Sequence, residues 1–487
     1  MAIVQIARTY STLGSTYSAV LSVKGTRTPA RLYTATGVLV SQDGISPLTS
    51  SGVFSAYVDD AQLYDLRIVF TATGAQAAFE SDISPVDEGA YGPARISGST
   101  VVDNFGTPVS GGRILSGYLP STVAALAAMK AGARNVRILH VGDSTTMGRN
   151  ANGVSQWINC RPLGYPTQFA ALMNAVYPTY NDNLIGIGVS SGVAADFVTS
   201  DPKFVLGGST TIASTSAQIG GGAIRSTAAG TVYTYTPSVP VDTWDVGYIQ
   251  NAGYGTFDMY VDGVKVGATV DANGTNVLAR ATRTFDLGMH TLSIVKPAGA
   301  VTSMLWTRSW NSAVKGIESM SGGYSGQTST NIADVTNFLS ASYNTGSGGF
   351  LGFLQPDLVT INLGINDYSS SIAPTGAAPS TRANLQVFVD QCRAAGADVV
   401  GIIPNPSATT VATLANQQAT LTALRQFYAD NGILTVDFRA RYGTLYETAI
   451  AQGWMVPADP NHPTAAGHSQ VGAPALFAAL FQQSAVV

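Results

Sequence analysis

Charge is scarce in this chain: Asp, Glu, Lys and Arg make up 11% of its 487 residues, against roughly a quarter in an ordinary globular protein. The formal net charge of −4 supplies no field that would hold a polyphosphate, so nucleic acid is not expected as a partner. Only two cysteines are present, Cys160 and Cys392, too few for a disulfide framework, and they form no ligand cluster with the four histidines, so neither a metal nor any other cofactor is expected. No apolar run approaches the ~18 residues that would span a bilayer. The opening residues, 1–9, lack a basic stretch followed by a long apolar one, so no export signal is expected there. What the chain has in quantity is apolar side chains, 45%, and glycine, 52 residues, enough for several cores joined by tight turns. Its length suggests roughly two to four domains.

With so few histidines, each can be weighed. His140 lies in the apolar run Arg137-Ile138-Leu139-His140-Val141, and His290 in Gly288-Met289-His290-Thr291; neither has a neighbouring acid placed to orient it. His462 differs. In Asp459-Pro460-Asn461-His462-Pro463 an acid precedes it by three residues, the pairing that holds a general base in one tautomer. A serine for that base to deprotonate stands far upstream in Val141-Gly142-Asp143-Ser144-Thr145-Thr146, at the end of a strand-like run. Two further blocks lie between. Residues 321–328, Ser-Gly-Gly-Tyr-Ser-Gly-Gln-Thr, form a glycine-rich turn whose backbone N–H groups can approach a ligand. Residues 357–367 read as a buried strand ending in Gly364-Ile365-Asn366-Asp367, which places the Asn366 amide at a sheet's carboxyl edge. Each block alone is an ordinary turn; the four together, in this order, are not.

Serine, glycine, asparagine and histidine in that order resemble the four blocks of the SGNH (GDSL-like) hydrolases, over about residues 134–190 and 311–487. The resemblance implies Ser144 as nucleophile, His462 as general base and then acid, and Asp459 as the residue that orients His462. It implies an oxyanion hole made by the backbone N–H groups of Ser144 and Gly326 and the side-chain amide of Asn366, with Gly322 and Gly323 near enough to offer a different N–H. A competing elbow, Gly188-Val189-Ser190-Ser191-Gly192, leads into a β-rich stretch rather than a long helix and leaves the other blocks unexplained. The glycines at 186, 188 and 192 have no βαβ unit around them and do not make a dinucleotide turn. Trp157 and Trp454 are candidates for stacking on a sugar ring, against the alternative of partly buried packing. Arg149 is a candidate for meeting an acidic sugar, against that of a solvated loop arginine.

Around these blocks the patterning changes. Residues 1–85 carry short strand-like runs at 30–35, 53–58 and 64–70, and the stretch from Pro47 to Val58 followed by Tyr64-Asp65-Leu66-Arg67-Ile68 resembles small β modules near the amino termini of bacteriophage tail-fibre and tailspike proteins, against the alternative of another carbohydrate-associated β-sandwich. Residues 86–118 read as a Gly/Pro/Ser-rich connector. A helix is expected from Ser121, and a first sheet strand over 136–141 that delivers Ser144. Residues 119–194 and 313–487 form the two parts of the hydrolase domain. Residues 195–312 are β-patterned, with Asp262-Gly263 as a hairpin turn, and are similar to carbohydrate-binding jelly rolls. Beyond them, helices at 380–395, 412–431, 445–452 and 464–482 alternate with strands at 398–403 and 433–437. The fold class is therefore α/β: a three-layer αβα sandwich with a central parallel sheet, an inserted β-sandwich and an amino-terminal β module.

The resemblance implies a serine esterase that removes O-acetyl groups from a polysaccharide. With the tail-fibre-like module it implies a virion protein, assembled in the host cytoplasm as a homotrimer, docked through that module to other tail proteins and acting on acetylated surface polysaccharide without inserting into a membrane. The alternatives are a secreted bacterial xylan or pectin acetylesterase, a lipase or thioesterase of the same family, which would call for a long apolar lid, and a non-catalytic receptor-binding tail protein.

Overall fold

The computed structural model describes residues 119–481, except 154–155, 215–218, 298–299, 334–348 and 370–373, together with the strands between residues 3 and 83. The connector expected at 86–118 lies outside the described residues. The chain divides into two compact units, Met1–Ile114 with Ala479–Val487, and Leu115–Ala478.

In the first unit, strands Ile3–Thr9, Leu32–Tyr33, Leu39–Ser41 and Val53–Asp59 form one four-stranded antiparallel sheet, and Tyr17–Val23, Ile45–Pro47, Tyr64–Phe70 and Gln76–Ile83 form another.

The second unit is built on six parallel strands: β1 (Val136–Gly142), β2 (Thr179–Tyr180), β3 (Ile317–Gly323), β4 (Leu358–Asn362), β5 (Asp398–Ile403) and β6 (Leu434–Asp437), in the order β2-β3-β1-β4-β5-β6. Alternation along these strands shows why both faces are covered. Leu139 and Val141 of β1 and Val359 and Ile361 of β4 join one apolar cluster with Leu385 and Phe388 of helix Pro374–Ala394 and Leu421 and Leu424 of helix Leu414–Asp430. The intervening His140 points the other way, edge-on to Tyr165 and Phe169 of helix Tyr165–Asn174. The first helix, Pro120–Lys130, is entered through Leu119 with Pro120 in its first turn. Ser121 therefore lies inside the helix rather than capping it, because proline's fixed φ suits that opening position.

Between β2 and β3 the chain builds two antiparallel sheets. One holds Thr210–Ser214, Gly222–Ser226, Thr302–Trp310, Val241–Gln250 and Val277–Gly288 in that spatial order, with Asn183–Ile185 also pairing onto Thr302–Trp310. The other holds Phe204–Leu206, Gly230–Tyr235, Leu292–Lys296, Thr256–Val261 and Val264–Lys265, with Val270–Asp271 pairing onto Thr256–Val261. Trp244, Val246 and Met304 of the first sheet and Tyr233, Tyr235, Met259 and Ile294 of the second share one apolar cluster. Asp262 (φ 49°) and Gly263 (φ 78°) turn the chain between Thr256–Val261 and Val264–Lys265; both φ values are positive, as a two-residue hairpin with right-handed strand twist requires.

The insert is tied to the parallel sheet through a buried ion cluster. Arg308, 2% exposed, donates to Asp245 at 2.7 Å and to Glu318 of β3 at 3.1 Å. Asn135 and Arg137 donate to the other oxygen of Glu318 at 3.0 and 3.3 Å. All of these charges are paired, as burial demands.

Candidate active site

β1 ends at Gly142, and the chain must turn at once to expose the next side chain at the sheet's carboxyl edge. Glycine is required at 142, since a Cβ there would lie 2.1 Å from Thr146 Oγ1 and 2.5 Å from the Asn362 carbonyl oxygen. Asp143 then caps the short helix Ser144–Met147, its Oδ1 accepting the Thr145 N–H at 2.8 Å, and Gly148, at φ 85°, closes it. Ser144 is thus fixed at the first helical position, and its hydroxyl donates to His462 Nε2 at 2.7 Å. His462 Nδ1 in turn donates to Asp459 Oδ1 at 2.7 Å.

The acid is held as firmly as the base. Asp459 Oδ1 also accepts the N–H groups of Asn461 at 2.9 Å and His462 at 3.1 Å. Its Oδ2 accepts from the Asn150 side chain, and Tyr446 Oη donates to its carbonyl at 2.7 Å. Burial pushes the Asp459 carboxyl up, but the hydrogen bond and charge of His462 with the donors from Asn461 and Asn150 outweigh it and hold the carboxyl well below the usual carboxylate range. The loop carrying both residues is pinned by Ala408 N–H to the Pro460 carbonyl at 2.8 Å and by Asn405 Nδ2 to the Asn461 carbonyl at 2.8 Å.

The glycine-rich stretch is divided between two jobs. Ser321, Gly322 and Gly323 belong to β3 rather than to a turn, paired with His140, Val141 and Gly142. A Cβ on Gly323 would lie 2.5 Å from the Met147 nitrogen, so this glycine lets β3 pack against the Ser144–Met147 turn. The turn proper is Tyr324 to Gln327, closed by Gln327 N–H to the Tyr324 carbonyl at 3.1 Å, with Gly326 at φ 87°. That is the left-handed third position of a type II turn. Among the described residues, the N–H groups of Ser144 and Gly326 have no protein acceptor. Asn366, in the helical turn Ile365–Ser369 after β4, donates from Nδ2 to the Gln327 carbonyl at 2.8 Å, which sets its amide beside the Gly326 turn. Asp367 secures that turn from below, accepting the Ser329 N–H at 3.1 Å.

The remaining candidates fall out as follows. Ser190 is exposed and has no hydrogen bond to a histidine among the described residues. Trp157 is 9% exposed, its ring 5.3 Å beneath the Arg149 guanidinium: it packs, and that face is not open to a sugar. Trp454 is half-buried and edge-on to Tyr442 at 6.4 Å. His140 is a core residue, bonded to Thr360 Oγ1 at 2.9 Å and Ser319 Oγ at 3.1 Å, with burial pushing it down to about 3. His290 corrects the sequence expectation. An acid does orient it, Asp262 at 2.7 Å, brought there by the antiparallel pairing of Thr256–Val261 with Leu292–Lys296 rather than by nearness in sequence. It lies in the insert, with no serine hydroxyl on its ring among the described residues. Cys160 and Cys392 are buried free thiols.

Three contributors were not picked out from the sequence. Asn150 supplies the second oxygen of Asp459 with a donor, and its φ of 60° is the local signal that a short polar side chain was needed there. Asp143 is fully buried; burial, opposed by the Thr145 N–H and reinforced by the charge of Asp367, pushes it up to about 7. Tyr446 braces the Asp459 loop.

A parallel α/β sheet that brings serine, acid-held histidine, a glycine turn and an asparagine amide to one carboxyl edge defines the SGNH class of hydrolase fold. Residues 306–470 match the GDSL-like Lipase/Acylhydrolase family, and the chain carries a GDSL-like SGNH hydrolase domain. The match begins inside the last strand of the insert, so Ser144 lies ahead of it and joins the domain through the fold. Among solved structures, a peptidoglycan O-acetylesterase shares the fold with a TM-score of 0.55 at 15% identity, over 74% of this chain and 95% of that one. Weaker likenesses include a Bacillus subtilis protein (TM-score 0.30, 15% identity, 56% of this chain and 88% of that one). Another is a lipase/acylhydrolase from Enterococcus faecalis (0.27, 16%, 33% and 74%). No curated protein matches the chain in sequence.

Proposed function

We propose that the protein is a serine esterase that removes O-acetyl groups from a polysaccharide. The observation that carries this is the unbroken path from Ser144 Oγ through His462 to Asp459, with both contacts at 2.7 Å. In the first step Ser144 Oγ attacks the acetyl carbonyl carbon while His462 Nε2 takes the hydroxyl proton. The electron pair displaced onto the carbonyl oxygen is met by the N–H groups of Ser144 and Gly326 and by the Asn366 amide. Collapse of this intermediate breaks the ester C–O bond, and His462 returns its proton to the departing sugar hydroxyl. A water molecule, deprotonated by His462, then attacks the acetyl-serine; acetate leaves and the proton goes back to Ser144. Asp459, kept ionised, supports the imidazolium at each stage.

The acetyl group and the glycan are the finer part of the proposal. Fold likeness to a peptidoglycan O-acetylesterase is compatible with a glycan-borne acetyl, and the β-rich insert is compatible with a carbohydrate-binding jelly roll. The deciding experiment is acetate release from a chromogenic acetyl ester and from acetylated glycans, wild type against Ser144→Ala. Activity on long-chain lipid esters with none on an acetylated glycan would overturn the substrate.

A tail-fibre role rests on the resemblance of residues 1–85 to small phage β modules. In that setting the protein would be a homotrimeric virion component on the host's acetylated surface polysaccharide, where several weak sites on one repeating polymer act together. Its mass in solution tests this, and a strict monomer would remove the argument.

A further inference from the structure

We propose that Arg149, stacked on Trp157 beside Ser144 and the Gly326 turn, takes a carboxylate of the substrate, so that the glycan acted on is an acidic one. This rests on the esterase reading above and names its substrate class. Arg149 follows the glycine that closes the nucleophile helix, and its own N–H donates to the Ser144 carbonyl at 3.0 Å, so its backbone is fixed to the nucleophile. The side chain bridges two loops: Nη1 donates to Ser325 Oγ at 3.2 Å, one residue before Gly326, and Nη2 to Gln156 Oε1 at 2.8 Å. The guanidinium lies 5.3 Å from the centre of the Trp157 ring, a stacked geometry that arginine holds and lysine does not reproduce.

What this cation lacks is a counterion. Its Nε is sealed from solvent without a hydrogen-bond partner, and among the described residues no carboxylate lies within ion-pairing distance of it. Asp459, whose charge reaches it, is already engaged by His462 and Asn150. A half-buried guanidinium held rigid by neutral partners is costly. A planar carboxylate arriving with the substrate offsets that cost with charge-assisted hydrogen bonds. A neutral sugar at the same place leaves the cation unpaired, so the same arrangement discriminates against it.

The test uses the full chain carrying Ser144→Ala, which binds without turnover. Calorimetric affinities are measured for an O-acetylated uronic-acid disaccharide and for its carboxyl-reduced, neutral counterpart. The acidic ligand should bind more tightly by about tenfold or more. Adding Arg149→Gln should bring that ratio close to one, while Arg149→Lys should retain part of it. Equal affinity for the two ligands, no binding of either, or a ratio that survives Arg149→Gln would overturn the proposal. So would an equal weakening of both ligands by Arg149→Gln, which would make Arg149 a positioning residue for the Ser325 turn. Hydrolysis by the wild-type protein is scored separately: discrimination in binding without hydrolysis of either ligand removes the esterase reading and leaves this one standing.

Discussion

Asp143 offers a measurement that needs no substrate. Its carboxyl is fully buried directly before the nucleophile, with one oxygen on the Thr145 N–H and the other without a partner. Burial, with the charge of Asp367 added, raises it from an ordinary 3.8 to about 7 in the folded protein. In the unfolded chain the group ionises first, so between these values folding takes up a proton, and stability must fall as pH rises. The contribution is intact below about pH 4 and gone above about pH 7, a loss on the order of 4 kcal/mol. Asp143→Asn imitates the protonated acid: its carbonyl oxygen can still accept the Thr145 N–H, and the second position is unpartnered either way. Urea unfolding of both proteins from pH 4 to pH 9 gives a difference curve from which the other carboxylates largely cancel. The variant should gain on the wild type steadily up to about pH 7 and hold a constant advantage beyond it. A difference curve flat across that range would refute the argument, because it would mean that Asp143 is ionised in the folded state throughout.

Ser144→Ala should abolish ester hydrolysis, and Ser190→Ala should leave it near wild type, in the same chromogenic assay. Asn366→Ala should lower kcat by roughly 100-fold with a smaller change in KM, since the amide acts on charge that develops in the transition state; an effect confined to KM would make it a substrate-positioning residue. Arg308→Met leaves Asp245 and Glu318 buried with fewer donors and should cost on the order of 3–5 kcal/mol in chemical unfolding.

The legible parts of this protein were those written in contiguous residues. Gly142-Asp143-Ser144, Gly364-Ile365-Asn366-Asp367 and Asp459-Pro460-Asn461-His462 are local turns of contiguous residues, so the sequence could point to the parts of the site before they were brought together, though not to the distant partners that pin them. The parallel strands β1, β4 and β5 were visible as short apolar runs for the same reason. Features that depend on a distant neighbour were not. Asp262 reaches His290 only because strands Thr256–Val261 and Leu292–Lys296, far apart in sequence, pair side by side. Gly322 and Gly323 look like loop glycines until β1 and the nucleophile turn are packed against them. Residues 464–482 read as one helix, and the chain is helical without a gap over 465–481, but it widens into a π turn at His468–Gly472 between Ala465–Gly467 and Ala473–Phe481. The π turn has a physical cause, since Tyr442 Oη donates to the Gly467 carbonyl at 2.7 Å. A side chain inserted into the helical ladder displaces its next bond, and no periodicity in 464–482 could announce a tyrosine from another helix.

The scarcity of charge that marks the sequence also sorts its arginines. Arg308 is buried and Arg149 half-buried in a chain with only 25 lysines and arginines, and burial drives both toward deprotonation. At Arg308 that pressure is overcome by Glu318 and Asp245, which hold it above its ordinary value, and the result is a closed cluster that joins the insert to β3. At Arg149 burial prevails and the value falls, because the surrounding donors and acceptors are neutral and the nearest acid belongs to His462. A fold that supplies two carboxylates to one buried cation and none to another beside its nucleophile has not run short of acids. Arg161 and Arg439 are also buried on neutral partners, the Gly186 carbonyl and Gln417 Oε1; what sets Arg149 apart is that it is only half-buried and bonded to Ser325, next to the Gly326 turn, and that is the physical sense in which we assign Arg149, unlike Arg308, to the substrate.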